Sequence, residues 1–222
     1  MLLAIDTSTN TLGVALYDGI QVLSEILWVS QDYHTSELAP AVESTLVRAG
    51  LGIVPIQAVA VALGPGSFTG LRVGLAFAKG MVLSNHIPII GIPTLDIIAA
   101  SQPILEVPLL AVLRAGRGRL AVGWYQSNDR IWRSYGKVEV LSFTEINQRI
   151  DQPTLVCGEL TEEERRQLGR KRKNVILATP AACIRRPSFL AELGWERWQG
   201  GQVDNPITLS PFYLHYDQPI PG

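Results

Sequence analysis

The run Gly64-Pro65-Gly66-Ser67-Phe68-Thr69-Gly70-Leu71-Arg72-Val73-Gly74-Leu75-Ala76-Phe77-Ala78-Lys79-Gly80 decides how this chain is read. It follows an apolar strand, Ala58–Leu63, and opens on a Gly-Pro-Gly turn, where glycine takes a positive φ that other residues resist. Thr69 stands where an N-cap hydroxyl would accept an orphan backbone N–H. The helix that follows, to about Asn85, has almost no polar face. Its charges, Arg72 and Lys79, fall seven apart on one side, and Gly70, Gly74 and Ala78 form a lean stripe four apart. A surface helix carries one apolar stripe; one that is apolar nearly all round is buried on several sides. This predicts a helix that packs on its own sheet and also against another chain. The run is no Walker phosphate loop, because Gly-Lys-Ser/Thr is missing from the helix start.

Working outward, the first strand (Leu2–Ile5) leads into the polar turn Asp6-Thr7-Ser8-Thr9-Asn10 and a second strand, Leu12–Tyr17. Asp18-Gly19 then marks a hairpin to a third strand near Val22–Trp28. A helix over Thr35–Ala49 carries the stripe Leu38, Val42, Leu46, Ala49. Strand Ala58–Leu63, the long helix, strand Ile87–Gly91 and a short helix Thr94–Ser101 complete the first half. Pro103 and Pro108 mark a boundary, giving lobes over 1–102 and 103–222. The second half restarts with three strands (Leu109–Leu113, Leu120–Tyr125, Ile131–Val140). Next come a capping-box helix at Ser142-Phe143-Thr144-Glu145, strand Leu155–Cys157, a second capped helix from Thr161, and strand Val175–Ala178. A final helix is placed within Pro187–Gln199. The order of elements repeats although the sequence does not, which fits mixed sheets covered by helices.

Composition agrees with a well-cored globular protein: 47% hydrophobic and 18% charged residues over 222. The net charge of −1 hides an asymmetry. Residues 1–102 hold three basic and seven acidic side chains, the remainder sixteen and thirteen, so the halves carry opposite sign. No apolar run reaches the length of a membrane span, and the first residues read as a strand, not a signal peptide. Two cysteines give neither a disulfide framework nor a metal spacing, which suits a reducing cytoplasm. No Gly-x-Ser-x-Gly elbow surrounds Ser67, and no histidine pair has ligand spacing. The run Arg165–Lys173 places six basic residues in nine, able to meet phosphates or to serve as a solvated helix end. It lacks interleaved aromatics for base stacking.

Asp6-Thr7-Ser8-Thr9, the run from Gly64 through Gly74, His34 with Ser36-Glu37, and Pro211-Phe212-Tyr213-Leu214 resemble the TsaB (YeaZ) family. The likeness is close over residues 1–100 and looser beyond; the family usually continues after Leu214 with Arg, where this chain has His215. The resemblance implies an α/β architecture of two tandem RNase-H-like lobes, the actin-like/Hsp70-like ATPase (ASKHA) fold. It implies a non-catalytic scaffold and dimerisation subunit of the bacterial machinery that places threonylcarbamoyl on the adenosine beside the anticodon of tRNAs reading ANN codons. The implied partners are the catalytic paralogue TsaD and the ATPase TsaE, with a homodimer through the same helical face when alone. Direct contact with the tRNA is left open.

The catalytic paralogue carries His-x-x-x-His on the helix after the Ile-Pro-Ile-Ile-Gly strand. Thr94 and Ile98 stand at those positions here, so no metal or cofactor is expected. A nucleotide in this fold would lie between the lobes. The first turn supplies hydroxyls without a glycine, and Arg114 stands where many members have Asp. Asp6, Thr7, Thr9 and Arg114 are therefore expected to form at most a vestigial anion site. The expected partner face is Leu38, Val42, Leu46, Gly70, Gly74 and Phe77. Two rival readings remain, an ATP-binding enzyme of the sugar or acetate kinase type and a protease of its own partner. The lost acidic residue argues against the first and the missing hydrolase motif against the second.

Overall fold

The computed structural model describes residues 1–31, 34–50, 56–171 and 173–214. The first sheet comprises β1 (Leu2–Asp6), β2 (Thr11–Tyr17), β3 (Val22–Val29), β4 (Ala58–Ala62) and β5 (Ile89–Ile92), in spatial order β3-β2-β1-β4-β5. β1, β2 and β3 are antiparallel neighbours, whereas β4 and β5 run parallel to β1. Three helices interleave them: α1 (His34–Arg48), α2 (Phe68–Asn85) and α3 (Thr94–Ala100). The second sheet contains β6 (Leu109–Arg114), β7 (Arg119–Asn128), β8 (Ile131–Ser142), β9 (Thr154–Gly158) and β10 (Val175–Leu177). Its order, β10-β9-β6-β7-β8, is the first sheet's order read from the other edge, with the same mixture of parallel and antiparallel pairs. Helices α4 (Phe143–Arg149), α5 (Glu162–Gly169) and α6 (Pro187–Gln199) complete the chain.

Strand alternation sorts side chains onto two faces of each sheet. Leu3, Ile5, Val59 and Val61 meet Leu38 and Val42 of α1 and Leu75, Ala78 and Val82 of α2. On the opposite face Leu2, Ala4, Ala58, Ala60 and Ala62 meet Leu190 and Ala191 of α6. The alanine face of β4 lets α6 come close: a Cβ on Gly194 would lie 2.5 Å from that of Ala60. In the second sheet Leu109, Ala111 and Leu113 pack with Leu95 and Ile98 of α3, while Leu110 and Val112 pack with Ile146 of α4 and Leu168 of α5. Strands buried on both faces read as the near-continuous apolar runs seen in β1 and β6.

The two halves trade helices. The final helix α6 belongs to the second half by chain order and lies on the first sheet. Conversely α3, from the first half, lies on the second sheet and also meets α6. Chain order assigns each helix to its sequential neighbours and so does not reveal this exchange. The paired capping boxes expected at Ser142/Glu145 and Thr161/Glu164 are both present. The N-cap of α2 is Ser67, whose Oγ accepts from Gly70 N, and not Thr69: the Gly-Pro-Gly turn is shorter by two residues than expected.

Candidate functional site: the cleft between the sheets and the outer face of α2

The carboxyl ends of β1 and β6, the strands central to each sheet, point into one cleft of about 740 Å³. Such strand ends, next to crossover points, are where α/β sheets bind ligands. Thr9, Asn10 and Thr11 line one wall, Arg114, Ala115 and Gly116 the other, with Gly66 and Ser67 and the residues Glu159–Thr161 closing the rim. Of the four residues expected to meet an anion, Thr9 and Arg114 line this cleft, whereas Asp6 and Thr7 are buried at the end of β1, and each is held by protein.

Asp6 is 1% exposed. Its Oδ1 accepts from the Ser8 backbone N at 2.9 Å and the Ser8 hydroxyl at 2.6 Å. Its Oδ2 accepts from Arg185 Nε at 2.5 Å. Arg185 also donates to Thr9 Oγ1 at 2.8 Å and lies 3.6 Å from the Glu159 carboxylate. Glu159 in turn accepts from the Arg114 backbone N at 3.0 Å, and the Arg114 guanidinium forks onto Glu164. Alternating charges thus run Asp6, Arg185, Glu159 across the cleft, with Arg114–Glu164 beside them. Burial would raise the Glu164 carboxyl, but Arg114 and the Thr161 cap outweigh it and hold it below the usual range.

Thr7 has a different task. Its hydroxyl donates to the Gly70 carbonyl at 2.7 Å. A Cβ on Gly70 would overlap the Thr7 carbonyl oxygen, one on Gly74 the Thr7 hydroxyl, and one on Gly66 the Ser8 carbonyl oxygen. The glycines of α2 therefore admit the end of β1 to within backbone contact of the helix. Four of the six residues expected on the partner face pack within the subunit itself. Gly70 and Gly74 are buried inside the subunit, as are Leu38 at 1% and Val42 at 5% exposure, and Leu46 and Phe77 are half-buried. Spacing by four cannot distinguish a stripe that serves an internal strand from one that serves a partner. The side of α2 that faces outward carries Arg72, Ala76, Gly80 and Leu83, and a Cβ on Gly80 would meet nothing within 4 Å. Beside it α1 exposes Ala39, Glu43 and Val47.

The C-terminal motif is seated at the start of α2. Phe212 N donates to the Leu63 carbonyl at 2.7 Å; Tyr213 stacks on Phe68 at 5.1 Å and accepts from Arg72 Nε at 3.2 Å. His215 lies outside the described residues. Thr94 and Ile98 have structural tasks: Thr94 Oγ1 accepts from Gly64 N at 3.0 Å, and Ile98 lies in the core of the second sheet. Buried His34 points Nε2 at the Thr9 carbonyl, 2.8 Å away, so that nitrogen carries the proton and donates. Among the described residues no group of three or more His, Cys, Asp or Glu side chains is placed to hold a metal ion.

The basic run is spent on the fold only in part. Arg165 donates to the Ala178 carbonyl, Arg166 pairs with Glu163 at 2.6 Å, and Lys171 donates to the Asn147 carbonyl. Arg170 and Lys173 are exposed, and Arg172 lies outside the described residues. Arg185 is the residue that the motif reading missed. A signal existed: Arg185-Arg186-Pro187 precedes a helix with Pro187 in its first turn, and two cations at a helix N-terminus oppose its dipole unless acids meet them. Arg186 pairs with Glu25, as Arg185 does with Asp6.

Two mixed sheets of matching strand order, covered by helices and meeting at a cleft bounded by their first turns, define an actin-like ATPase (ASKHA-related) architecture. Solved structures agree. YeaZ from Pseudomonas aeruginosa superposes with a TM-score of 0.79 over 96% of this chain and 99% of that one, at 25% identity. The ROK hexokinase of Thermus thermophilus shares the fold at TM-score 0.50 and 11% identity, over 90% and 99% of the two chains. A family model described as "TsaD: tRNA N6-adenosine threonylcarbamoyltransferase" matches residues 22–171. The Bacillus subtilis "tRNA threonylcarbamoyladenosine biosynthesis protein TsaB" is 32% identical over 220 residues, spanning 96% of this chain and 93% of that protein. The chain belongs to this family and, within it, to the TsaB proteins.

Proposed function

We propose that this chain is a non-catalytic scaffold and dimerisation subunit for threonylcarbamoyladenosine formation in tRNA, acting by binding the catalytic paralogue TsaD together with TsaE. Family membership over nearly the whole chain supports the process. The observation that carries the accessory role is the state of the cleft. Asp6, the carboxylate a Mg-nucleotide would need free, is committed to Arg185, and at the second turn the acid is replaced by Arg114, which pairs with Glu164. A kinase-like enzyme of this fold would have to free Asp6 from Arg185 to bind its metal, and that buried pair is costly to break.

The partner surface we assign is the outward side of α2 around Ala76, Gly80 and Leu83, flanked by α1, with half-buried Leu46 and Phe77 at its edge. Small side chains there let a second helix approach closely. The same face is our candidate for a homodimer when TsaD is absent. We divide the chain into two RNase-H-like lobes, 1–102 and 103–222, joined by the exchange of α3 and α6. No described helix is long and apolar enough to cross a membrane, and a cytoplasmic site of action fits the tRNA substrate of the complex. Arg165 and Lys171 of the basic run are engaged in the fold, so any direct tRNA contact there would fall to exposed Arg166, Arg170 and Lys173.

Size-exclusion chromatography with light scattering, on this protein alone and mixed with TsaD of the same organism, tests the reading. A homodimer that converts to a heterodimer, and that is required for threonylcarbamoyl transfer to tRNA by TsaD, is the expected result. A chain that ignores TsaD and binds Mg-ATP tightly by itself would overturn it.

A further inference from the structure

A second, smaller cavity of about 260 Å³ lies on another side of the molecule, between the Gly64–Pro65 turn, α3 and the outer part of β7 and β8. Its shape follows from an irregularity in the sheet. Between Val122↔Glu139 and Trp124↔Tyr135 the single residue Gly123 opposes the longer segment Gly136-Lys137-Val138, which bulges outward with Gly136 at φ 78°. Such bulges re-aim side chains and bend a strand. Gly123 itself leaves room for the Tyr125 ring, which folds back to within 3.1 Å of where a Cβ would stand. The Tyr125 hydroxyl thereby reaches Asp96 Oδ1 at 2.7 Å.

The walls are mostly apolar and aromatic (Leu63, Pro65, Trp124, Tyr135 and Phe212), with exposed Lys137 among the lining residues but in no ion pair with Asp96. Asp96 is the carboxylate among the lining residues, and the same Asp96–Tyr125 pair separates this cavity from a neighbouring one of about 380 Å³. Asp96 receives one hydrogen bond, at Oδ1, and forms no ion pair among the described residues. Arg197 bears on it electrostatically, but its guanidinium is taken by the Gly91 carbonyl and by Asp204. Burial raises the Asp96 carboxyl above the usual range; the Tyr125 hydrogen bond and Arg197 only partly offset this. A carboxylate with no ion-pair partner among the described residues, at the edge of a small aromatic-walled cavity, is complementary to one class of molecule.

We propose that this cavity binds a small organic cation, an amidinium or ammonium head on an apolar body, with the head on Asp96 and the body between Trp124, Tyr135 and Phe212. A neutral or anionic molecule of the same shape leaves the carboxylate unpaired and gains only the contact with the walls. The inference rests on this cavity alone and stands apart from the partner surface on α2.

Benzamidine, benzamide and benzoate form an isosteric series with which to test it, by protein-observed NMR and thermal shift on the full chain. Benzamidine should bind, with benzamide at least about tenfold weaker and benzoate weaker still, since a charge-assisted bond to the carboxylate is lost. Asp96→Asn should lower benzamidine affinity by a similar factor while leaving benzamide unchanged. If that variant fails to fold, the unaltered protein gives the same answer by pH. The groups facing Asp96 are Tyr125 on β7, Arg133 and Lys137 on β8, and Glu196 and Arg197 on α6, with Cys157 on β9 bearing on Tyr125, whereas β6 turns apolar residues to α3. Burial drives the Tyr125 and Cys157 protons off only at high pH, so of these acids Asp96 is the buried one that titrates on the acid side. Benzamidine affinity should therefore fall as pH drops through the raised Asp96 value, from above it to about pH 4. Benzoate binding as well as benzamidine, an unchanged affinity in folded Asp96→Asn, or a pH-independent affinity would each overturn the proposal.

Discussion

Replacing Arg185 by Met tests whether the closed cleft is a structural element of the fold. The Arg185 side chain is 4% exposed and that of Asp6 2%, so neither charge can turn to water when its partner is removed. Methionine keeps most of the apolar volume and deletes the cation. What remains is a buried carboxylate with the Ser8 hydroxyl and N–H as its donors, together with the lost bond to Thr9. Breaking a buried pair from one side costs about 3–5 kcal/mol. For a chain of this length each kcal/mol moves the melting temperature by about 2–4 °C, so Arg185→Met should melt roughly 6–20 °C lower. Removing both charges, as Asp6→Asn with Arg185→Met, eliminates the orphan and should recover most of the loss, because well-packed uncharged replacements of buried pairs come out near neutral. Urea denaturation of wild type, both single variants and the double variant gives the coupling energy. A single-variant loss under about 1 kcal/mol, the scale of an exposed pair, would refute the reasoning, and so would a double variant whose loss equals the sum of the singles.

Other consequences can be measured on the same material. Gly80→Glu and Ala76→Glu, on the open side of α2, should leave circular dichroism unchanged and abolish association with TsaD in light scattering. Gly70→Glu should fail to fold, because the new side chain overlaps the Thr7 backbone. Thr94→Val should cost about 1–3 kcal/mol by leaving the buried Gly64 N–H without its acceptor, with no change in metal content by mass spectrometry. Burial would raise the Glu25 carboxyl, but Arg186 and Ser188 prevail and hold it below its ordinary 4.5. A depressed folded value stabilises above the unfolded one, so this contribution should vanish as pH falls below about 4.5 through the folded value. Melting temperature against pH should show that limb in wild type and a flatter one in Glu25→Gln.

Much of the architecture is legible because each strand is short, apolar and punctuated. Asp18-Gly19 closes the first hairpin with Gly19 at φ 97°, and Asp18 accepts from the backbone of Ile20 and Gln21 as a turn aspartate should. Leu109–Arg114 and Thr154–Gly158 are recognisable as core strands from their composition alone. What sequence could not show is where helices go after they form. The stripe Leu38-Val42 and the glycines 70 and 74 have the right period, but period identifies a face and not its occupant. Here the occupant is the turn after β1. Nor does local reading pair Asp6 with Arg185, which is 179 residues away and approaches only because α6 crosses to the first sheet.

That crossing bears on function as well as on stability. Arg185 lies just before α6, a helix that covers the first sheet, yet it also reaches Glu159 at the end of β9 in the second. With Pro187 in the first turn of α6, the segment bearing Arg185 has little freedom to retreat from the cleft. A nucleotide-driven member of this architecture needs its two halves to move as ligand enters and leaves. This chain instead spans the cleft with its own cation, so the relative position of the sheets is set without a ligand. A subunit that offers a fixed helical face to a partner gains from that arrangement, since a preorganised surface loses less entropy on association. Arg185→Met combined with Asp6→Asn, if it keeps its stability, separates the two effects. Heterodimer affinity should fall as the halves regain motion, while each half remains folded. Unchanged affinity in a chain whose amide exchange shows the halves moving freely would mean that α2 presents its face independently of the cleft.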